Sequence, residues 1–245
     1  MRHRHGHGHG AGERIFKGPG DKKIIALVGN PNVGKSVIFN RLTGKYVNVS
    51  NYPGTTVEIS TGYATFDARE NMIIDTPGVN NLIPSSEDEQ VARDILLENR
   101  MRTVIQVADS KNLRRTLLLT LQLAEMRIPM LLNLNMSDEA AERGIKIDAG
   151  KLSEILGIPV VHSVAVRREG IDKIVDNLKH ASVPEIHVVY DRELENALNM
   201  IEKLLPESNI SKRSIGLMLL AGDRSLSPWV NRNLAEPEIK KIEKI

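Results

Sequence analysis

An α/β fold is predicted: a mostly parallel sheet flanked by helices, followed by a small all-helical domain. Three observations carry this. Short apolar runs that suit buried strands alternate with helical patterns through residues 21–183. A glycine-rich loop, Gly29-Asn30-Pro31-Asn32-Val33-Gly34-Lys35-Ser36, joins the first of these runs to the first helix. From Pro184 onward the strand pattern stops, and apolar residues recur at helical spacing.

The elements follow in order. Residues 1–20 are rich in Gly, His and Arg without apolar periodicity and are expected to be disordered. There His3, His5, His7 and His9 alternate with Arg or Gly, which puts the imidazoles on one side of an extended chain and lets them bind a transition metal weakly. The run 23–28 is a buried strand, and 37–43 is a helix closed by Gly44. The polar stretch 46–56, with Pro53-Gly54, is expected to be a mobile loop. Strands over 58–66 and 71–75 form an antiparallel hairpin turning at 67–70. Further strands are expected at 103–108, 129–134 and 159–164, with helices at 113–126, 148–156 and 170–180. The boundary falls at 182–185. Beyond it, Leu194, Ala197, Leu198, Ile201, Leu204 and Leu205 share one helical face, and Ile215, Leu219 and Leu220 mark a second helix ending near Gly222. The chain thus divides into a tail (1–20), an α/β domain (21–183) and a helical domain (184–245).

Composition narrows the function. At 245 residues the chain exceeds the usual size of one domain. Its core must be aliphatic, since aromatics make up 3% of the residues against 41% hydrophobic overall. A formal charge of +2 argues against a bulk electrostatic nucleic-acid binder. The absence of cysteine excludes disulfides and thiolate catalysis. No apolar run approaches the roughly twenty residues of a membrane helix.

The chemistry lies at the strand ends, where ligands bind in such sheets. Gly29 and Gly34 let the loop curl so that its N–H groups face phosphate oxygens, and the helix N-terminus adds its positive end. Lys35 reaches the outer phosphates, and the Ser36 hydroxyl can ligate Mg²⁺. Asp75-Thr76-Pro77-Gly78 ends a neighbouring strand, where the carboxylate can hold a metal-bound water and the Gly78 N–H can sense the terminal phosphate. Between these motifs, a hydroxyl from Thr55 or Thr56 can complete the Mg²⁺ shell when triphosphate is bound. Asn135-Met136-Ser137-Asp138 reads N-x-x-D. Asp138 can accept hydrogen bonds from the N1–H and exocyclic amine of guanine, donors that adenine lacks. A helix N-cap is the plainer role for this aspartate. Ser163-Val164-Ala165 follows a strand, and its backbone N–H groups can meet the guanine carbonyl.

The order of these motifs is that of small GTPases, so the fold implied is the P-loop GTPase fold. Together with Asn51-Tyr52-Pro53-Gly54-Thr55-Thr56-Val57-Glu58 and the helical tail, they resemble the cytosolic G domain and helical domain of the ferrous iron transport protein B family. The resemblance spans about residues 22–228 and includes Arg213 and Leu219-Leu220-Ala221-Gly222-Asp223 in the tail. It implies slow, Mg²⁺-dependent hydrolysis of GTP to GDP in a cytosolic domain that regulates a ferrous iron membrane transporter, with Lys35, Thr56 and Gly78 serving catalysis. It assigns Mg²⁺ to Ser36, Thr56 and Asp75, and an activating K⁺ to Asn32. It places the chain at the cytoplasmic face of a membrane, with guanine nucleotide and a membrane-embedded portion as partners; a homo-oligomer is compatible with the sequence, which does not fix the oligomeric state.

Departures stand beside the resemblance. Val79-Asn80-Asn81-Leu82 replaces the family's frequent tyrosine-serine-leucine run, and Val164 stands where serine is frequent. Val79 also takes the place of the water-orienting glutamine of Ras-like enzymes, so intrinsic hydrolysis should be slow, with backbone groups placing the water. A soluble ribosome- or tRNA-associated GTPase of the Era-like type is the competing assignment. It calls for a basic RNA-binding tail or a GXXG loop. Gly216 and Gly222 are the only glycines after Gly170, which counts against it and against a nucleic-acid partner.

Overall fold

The computed structural model describes residues 23–44, 47–186 and 188–245. The tail with His3, His5, His7 and His9 lies outside the described residues. Seven strands form one sheet in the order β2-β3-β4-β1-β5-β6-β7. The parallel core is β1 (Lys23–Val28), β4 (Arg69–Asp75), β5 (Met101–Asp109), β6 (Met130–Asn135) and β7 (Val160–His162). On one edge β3 (Glu58–Phe66) runs antiparallel to β4, and β2 (Val47–Asn51) antiparallel to β3. Because β1, β4, β6 and β7 are parallel, every motif that follows one of them emerges at the same edge of the sheet.

The central strand shows why this fold forms. Ile25, Ala26, Leu27 and Val28 are all fully buried, as expected for a strand covered on both faces. Ala26 and Val28 face one layer with α2 (Glu87–Glu98) and α3 (Leu113–Glu125). Ile25 and Leu27 face the other, with α1 (Lys35–Thr43) and α6 (Ile171–Asn177). The hairpin β3–β4 turns on Asp67 and Ala68, both at positive φ (51° and 57°), the conformation that a two-residue turn of matching twist requires.

Two regions depart from expectation. Residues 47–51, expected within a mobile loop, form an edge strand paired with β3. Val47 and Val49 alternate with Asn48 and Ser50, and the pairing decides a segment whose residues are all exposed. The helix α2 was not anticipated. Its signal is a capping pattern: the Ser86 hydroxyl accepts from the Glu89 N–H, and Val91, Ala92, Ile95 and Leu96 then bury one face. The short helix α4 (Ser137–Glu142) was also missed, while α5 (Ala149–Leu156) lies where expected.

Four helices follow: α7 (Arg192–Glu202), α8 (Lys212–Leu220), α9 (Ser227–Asn233) and α10 (Glu236–Ile242). Asp191 and Ser211 cap the first two. The apolar faces of this region, including Ile201, Ile215, Met218 and Trp229, join the layer containing α2 and α3. Polar ties cross the same seam. Asn209 donates to the Leu97 carbonyl at 3.0 Å, and Arg213 bridges Glu125 (3.0 Å) and Glu195 (2.7 Å). Arg93 of α2, fully buried, pairs with Asp223 at 2.5 Å and donates to Ser225 at 2.9 Å. Breaking a buried pair by removing one partner leaves the other charge uncompensated. Arg93→Ala should therefore destabilise the fold by about 3–5 kcal/mol. Denaturant unfolding followed through Trp229, the only tryptophan, measures this; a loss under about 1 kcal/mol would reduce the contact to the level of a surface pair.

Candidate functional site

The loop after β1 is built around two glycines. A Cβ on Gly29 would lie 2.1 Å from the Val107 carbonyl oxygen, so no larger residue fits against β5. Gly34 sits at φ 89°, and a Cβ there would lie 2.4 Å from Asn135 Nδ2. Gly34 is also the N-cap of α1, and no side chain caps that helix. Its first-turn N–H groups therefore remain for an anion. Asn32 is exposed and left-handed at φ 63°. Pro31 packs against Gly78, and Val33 anchors the loop in the core beneath.

Lys35 lies buried at the centre. Its Nζ donates to the Gly29 carbonyl at 3.2 Å and to the Asn30 carbonyl at 3.3 Å. Burial lowers its pKa, and the nearby Asp75 carboxylate opposes that shift. Asp75, at the end of β4, is 9% exposed. Burial raises its pKa, while the Ser36 hydroxyl and the Lys35 ammonium work against the rise. Asp75 Oδ1 is buried with no hydrogen-bond partner. An orphaned carboxylate oxygen beside a hydroxyl is a hard-oxygen donor set, which fits Mg²⁺. Ser36 and Asp75 would hold that ion.

The segment after β4 lies on the phosphate loop. The Thr76 hydroxyl donates to the Leu27 carbonyl at 2.8 Å, and a Cβ on Gly78 would sit 2.9 Å from Pro31 Cα. The Val79 N–H donates to the Gly29 carbonyl at 3.0 Å, and Asn30 Nδ2 donates to the Val79 carbonyl at 2.9 Å. Val79 itself is fully buried. Three residues absent from the sequence expectations hold the rest of this segment. Glu89 accepts from the N–H groups of Asn80 (3.0 Å), Asn81 (3.3 Å) and Ser85 (2.9 Å). Gln122 accepts from the Leu82 N–H at 2.9 Å, and Arg115 donates to Asn80 Oδ1 at 2.6 Å. The S-x-x-E pattern ahead of α2 was the available clue to Glu89; the other two meet the segment only through the packing of α3.

Burial alone would raise the Glu89 pKa, but the hydrogen bonds from Ser85, Asn80 and Asn81 outweigh it and lower the value. A depressed folded pKa contributes stability above the unfolded value, and that stability is lost as pH falls through the folded value. The parent should therefore lose thermal stability as pH falls below 4.5, the ordinary value of the group. Glu89→Gln should flatten that acid limb. Equal slopes in parent and variant would remove Glu89 as the titrating anchor.

Asn135 links three segments. Its Nδ2 donates to the Val33 carbonyl at 2.9 Å, and its Oδ1 accepts from the Ser163 hydroxyl (3.1 Å) and the Ala165 N–H (3.0 Å). Met136, left-handed at φ 58°, is the N-cap of α4. Asp138 is thus within the first turn and is not the cap. Its carboxylate meets Arg167 at 3.3 Å. The Ser137 N–H and hydroxyl donate to the Ser163 carbonyl at 3.2 and 3.1 Å.

One expectation is not met in this arrangement. The N–H groups of Ser163, Val164 and Ala165 go to the Leu134 carbonyl, the Glu169 carbonyl and Asn135 Oδ1, so none of the three is open to a base. Thr56, expected at the metal when triphosphate is bound, here donates its hydroxyl to Glu87 at 3.3 Å. Gly54 and Thr55 lie in the same turn, followed by buried Val57 and exposed Glu58. The cause is local closure: Tyr52, Thr55 and Val57 bond to one another and turn the segment toward α2.

The description "ferrous iron transport protein B" matches residues 23–178, and "FeoB cytosolic helical domain" matches residues 190–245. The chain belongs to the ferrous iron transport protein B family. A Porphyromonas gingivalis relative, an Fe(2+) transport protein A/Fe(2+) transporter FeoB fusion protein, is 38% identical over 219 residues. That alignment covers 84% of this chain and 26% of the relative. The chain spans about a quarter to a third of the length of the curated relatives it matches. An S. thermophilus NFeoB mutant bound to GDP has a TM-score of 0.79 at 35% identity, covering 91% of this chain and 87% of that one. The cytosolic domain of the T. maritima FeoB iron transporter in GMPPNP form has a TM-score of 0.75 at 36% identity, with 88% and 89% covered. The P-loop GTPase fold is common to both assignments; the match of the helical domain as well as the G domain to the FeoB family sets aside the RNA-associated alternative. Among the described residues, no helix is long and apolar enough to cross a membrane.

Proposed function

We propose that this chain is the nucleotide-binding part of a ferrous iron transporter, at the cytoplasmic face of the membrane. It binds GTP and hydrolyses it slowly to GDP and phosphate. The observation that carries this is the convergence of Lys35, Ser36 and Asp75 at the uncapped start of α1, with Asp75 Oδ1 lacking a partner. The FeoB relatives solved with GDP and GMPPNP support guanine nucleotides as ligands. Residues 29–36 cradle the phosphates, Gly78 meets the terminal one, and Asn135 with Asp138 addresses guanine. Bound Mg²⁺ supplies positive charge to the outer phosphates. Ser36 and Asp75 would hold that ion, and Thr56 would join them once the 52–57 turn leaves α2. Val79 is apolar and fully buried, so no side chain at that position orients water, which keeps turnover slow. Residues 184–245 form the helical domain that receives the switch signal, and the membrane-embedded portion and further copies of the chain are its partners.

Calorimetry with Mg²⁺ tests the core of this. GTP and GDP should give heat where ATP gives none; equal heat for ATP refutes the assignment. Asn32 is proposed to hold K⁺ beside the phosphates, where a cation offsets charge as the phosphoryl group departs. Replacing Na⁺ by K⁺ should then raise turnover at least several-fold, with the difference gone in Asn32→Ala. Equal rates in both salts would remove the cation.

A further inference from the structure

Tyr52 plays no part in the proposed chemistry, yet the fold treats it as core. Its ring is 5% exposed and packs in the layer that includes Val57, Val91 and Ile95. Its hydroxyl is buried with no hydrogen-bond partner. The surroundings are charged, with Asp94, Glu98, Arg93 and Arg232 acting on the phenol, and burial raises its pKa so that it stays neutral. The 52–57 turn is closed on itself. The Tyr52 N–H donates to the Val57 carbonyl at 2.8 Å, the Thr55 N–H to the Tyr52 carbonyl at 3.0 Å, and the Val57 N–H to Thr55 Oγ1 at 3.2 Å. The turn is therefore tied together, and it meets α2 twice: the Tyr52 phenol lies beside Arg93, Asp94 and Glu98 of that helix, and Thr56 bonds Glu87.

We propose that Tyr52 is a positioning residue whose seated ring holds Thr56 on α2, away from Ser36 and Asp75, and so sets the balance between guanosine triphosphate and diphosphate. This rests on the proposal that Thr56 joins the metal when triphosphate is bound. Only a ligand with different affinity for two arrangements shifts their balance. For Thr56 to reach the metal when triphosphate is bound, the ring would have to leave its seat. Diphosphate makes no such demand, so the unseating cost falls on triphosphate alone. Tyr52→Ala removes the ring and lowers that cost. Tyr52→Phe keeps the ring and deletes a hydroxyl that is unpaired when seated and hydrated when released. The phenylalanine variant therefore seats more firmly than the parent. Opposite shifts from two substitutions at one site are a signature that a merely structural residue does not produce.

The experiment titrates parent, Tyr52→Ala and Tyr52→Phe with GMPPNP and with GDP, each with Mg²⁺. The ratio of GMPPNP to GDP affinity should rise about tenfold in Tyr52→Ala and fall about three- to tenfold in Tyr52→Phe, with GDP affinity nearly constant. A ratio that is the same in all three proteins, or that moves the same way in both variants, overturns the role of Tyr52. A lower unfolding midpoint in Tyr52→Ala without the split in ratio does the same. A parent that binds neither nucleotide overturns the proposed function itself, a separate failure.

Discussion

Lys35→Ala should lower the affinity for GTP by on the order of 10²–10⁴-fold, with a smaller loss for GDP. Charge-assisted hydrogen bonds contribute about 1.5–3 kcal/mol each, and two such contacts to the outer phosphates give that range. The ammonium now caps the Gly29 and Asn30 carbonyls at 3.2 and 3.3 Å, so arriving phosphates exchange one set of partners for a stronger one. The fold should survive, because Gly29 keeps the bond from the Val79 N–H and the glycine geometry does not depend on the lysine. Binding of a fluorescent GTP analogue, with circular dichroism as the folding control, decides the matter. Parent-like affinity in the variant would refute the phosphate loop.

Asp138→Asn carries the second large effect. Two hydrogen bonds from guanine to a carboxylate become at most one to an amide, and the amide nitrogen faces a donor. GTP affinity should fall at least about 100-fold. Xanthosine triphosphate should gain, because its extra carbonyl accepts from the new amide. The ion pair lost with Arg167, at 3.3 Å, involves an arginine side chain that is 59% exposed and should contribute little to stability. Competition between the two nucleotides on the variant measures the exchange; unchanged preference for GTP would take the base-reading role from Asp138.

The strand-loop-helix unit at 23–44 was legible because everything that shapes it is local: an apolar run, two glycines and a helix. Asp75 and Asp138 were legible as candidates because one ends β4 and the other follows closely on β6. The helix α2 escaped because its start follows a polar stretch, although Ser86 and Glu89 carried the signal. The strand β2 escaped because exposed residues show strand character only once a partner strand is present. Closure of the Ser163-Val164-Ala165 backbone on Leu134, Glu169 and Asn135 could not be anticipated, since each partner comes from another segment.

By itself, the order of residues determined which chemical groups are available and at which strand ends they emerge. Periodicity and turn chemistry act over a few residues, and that is the range on which those features depend. Tertiary structure alone decided that Asp75 Oδ1 is left without a partner, that Thr56 rests on Glu87, and that Arg93 lies buried across the seam between the sheet and the helical region. Burial, orphaned polar atoms and long-range ion pairs arise only when distant segments exclude water together. No local pattern encodes that exclusion.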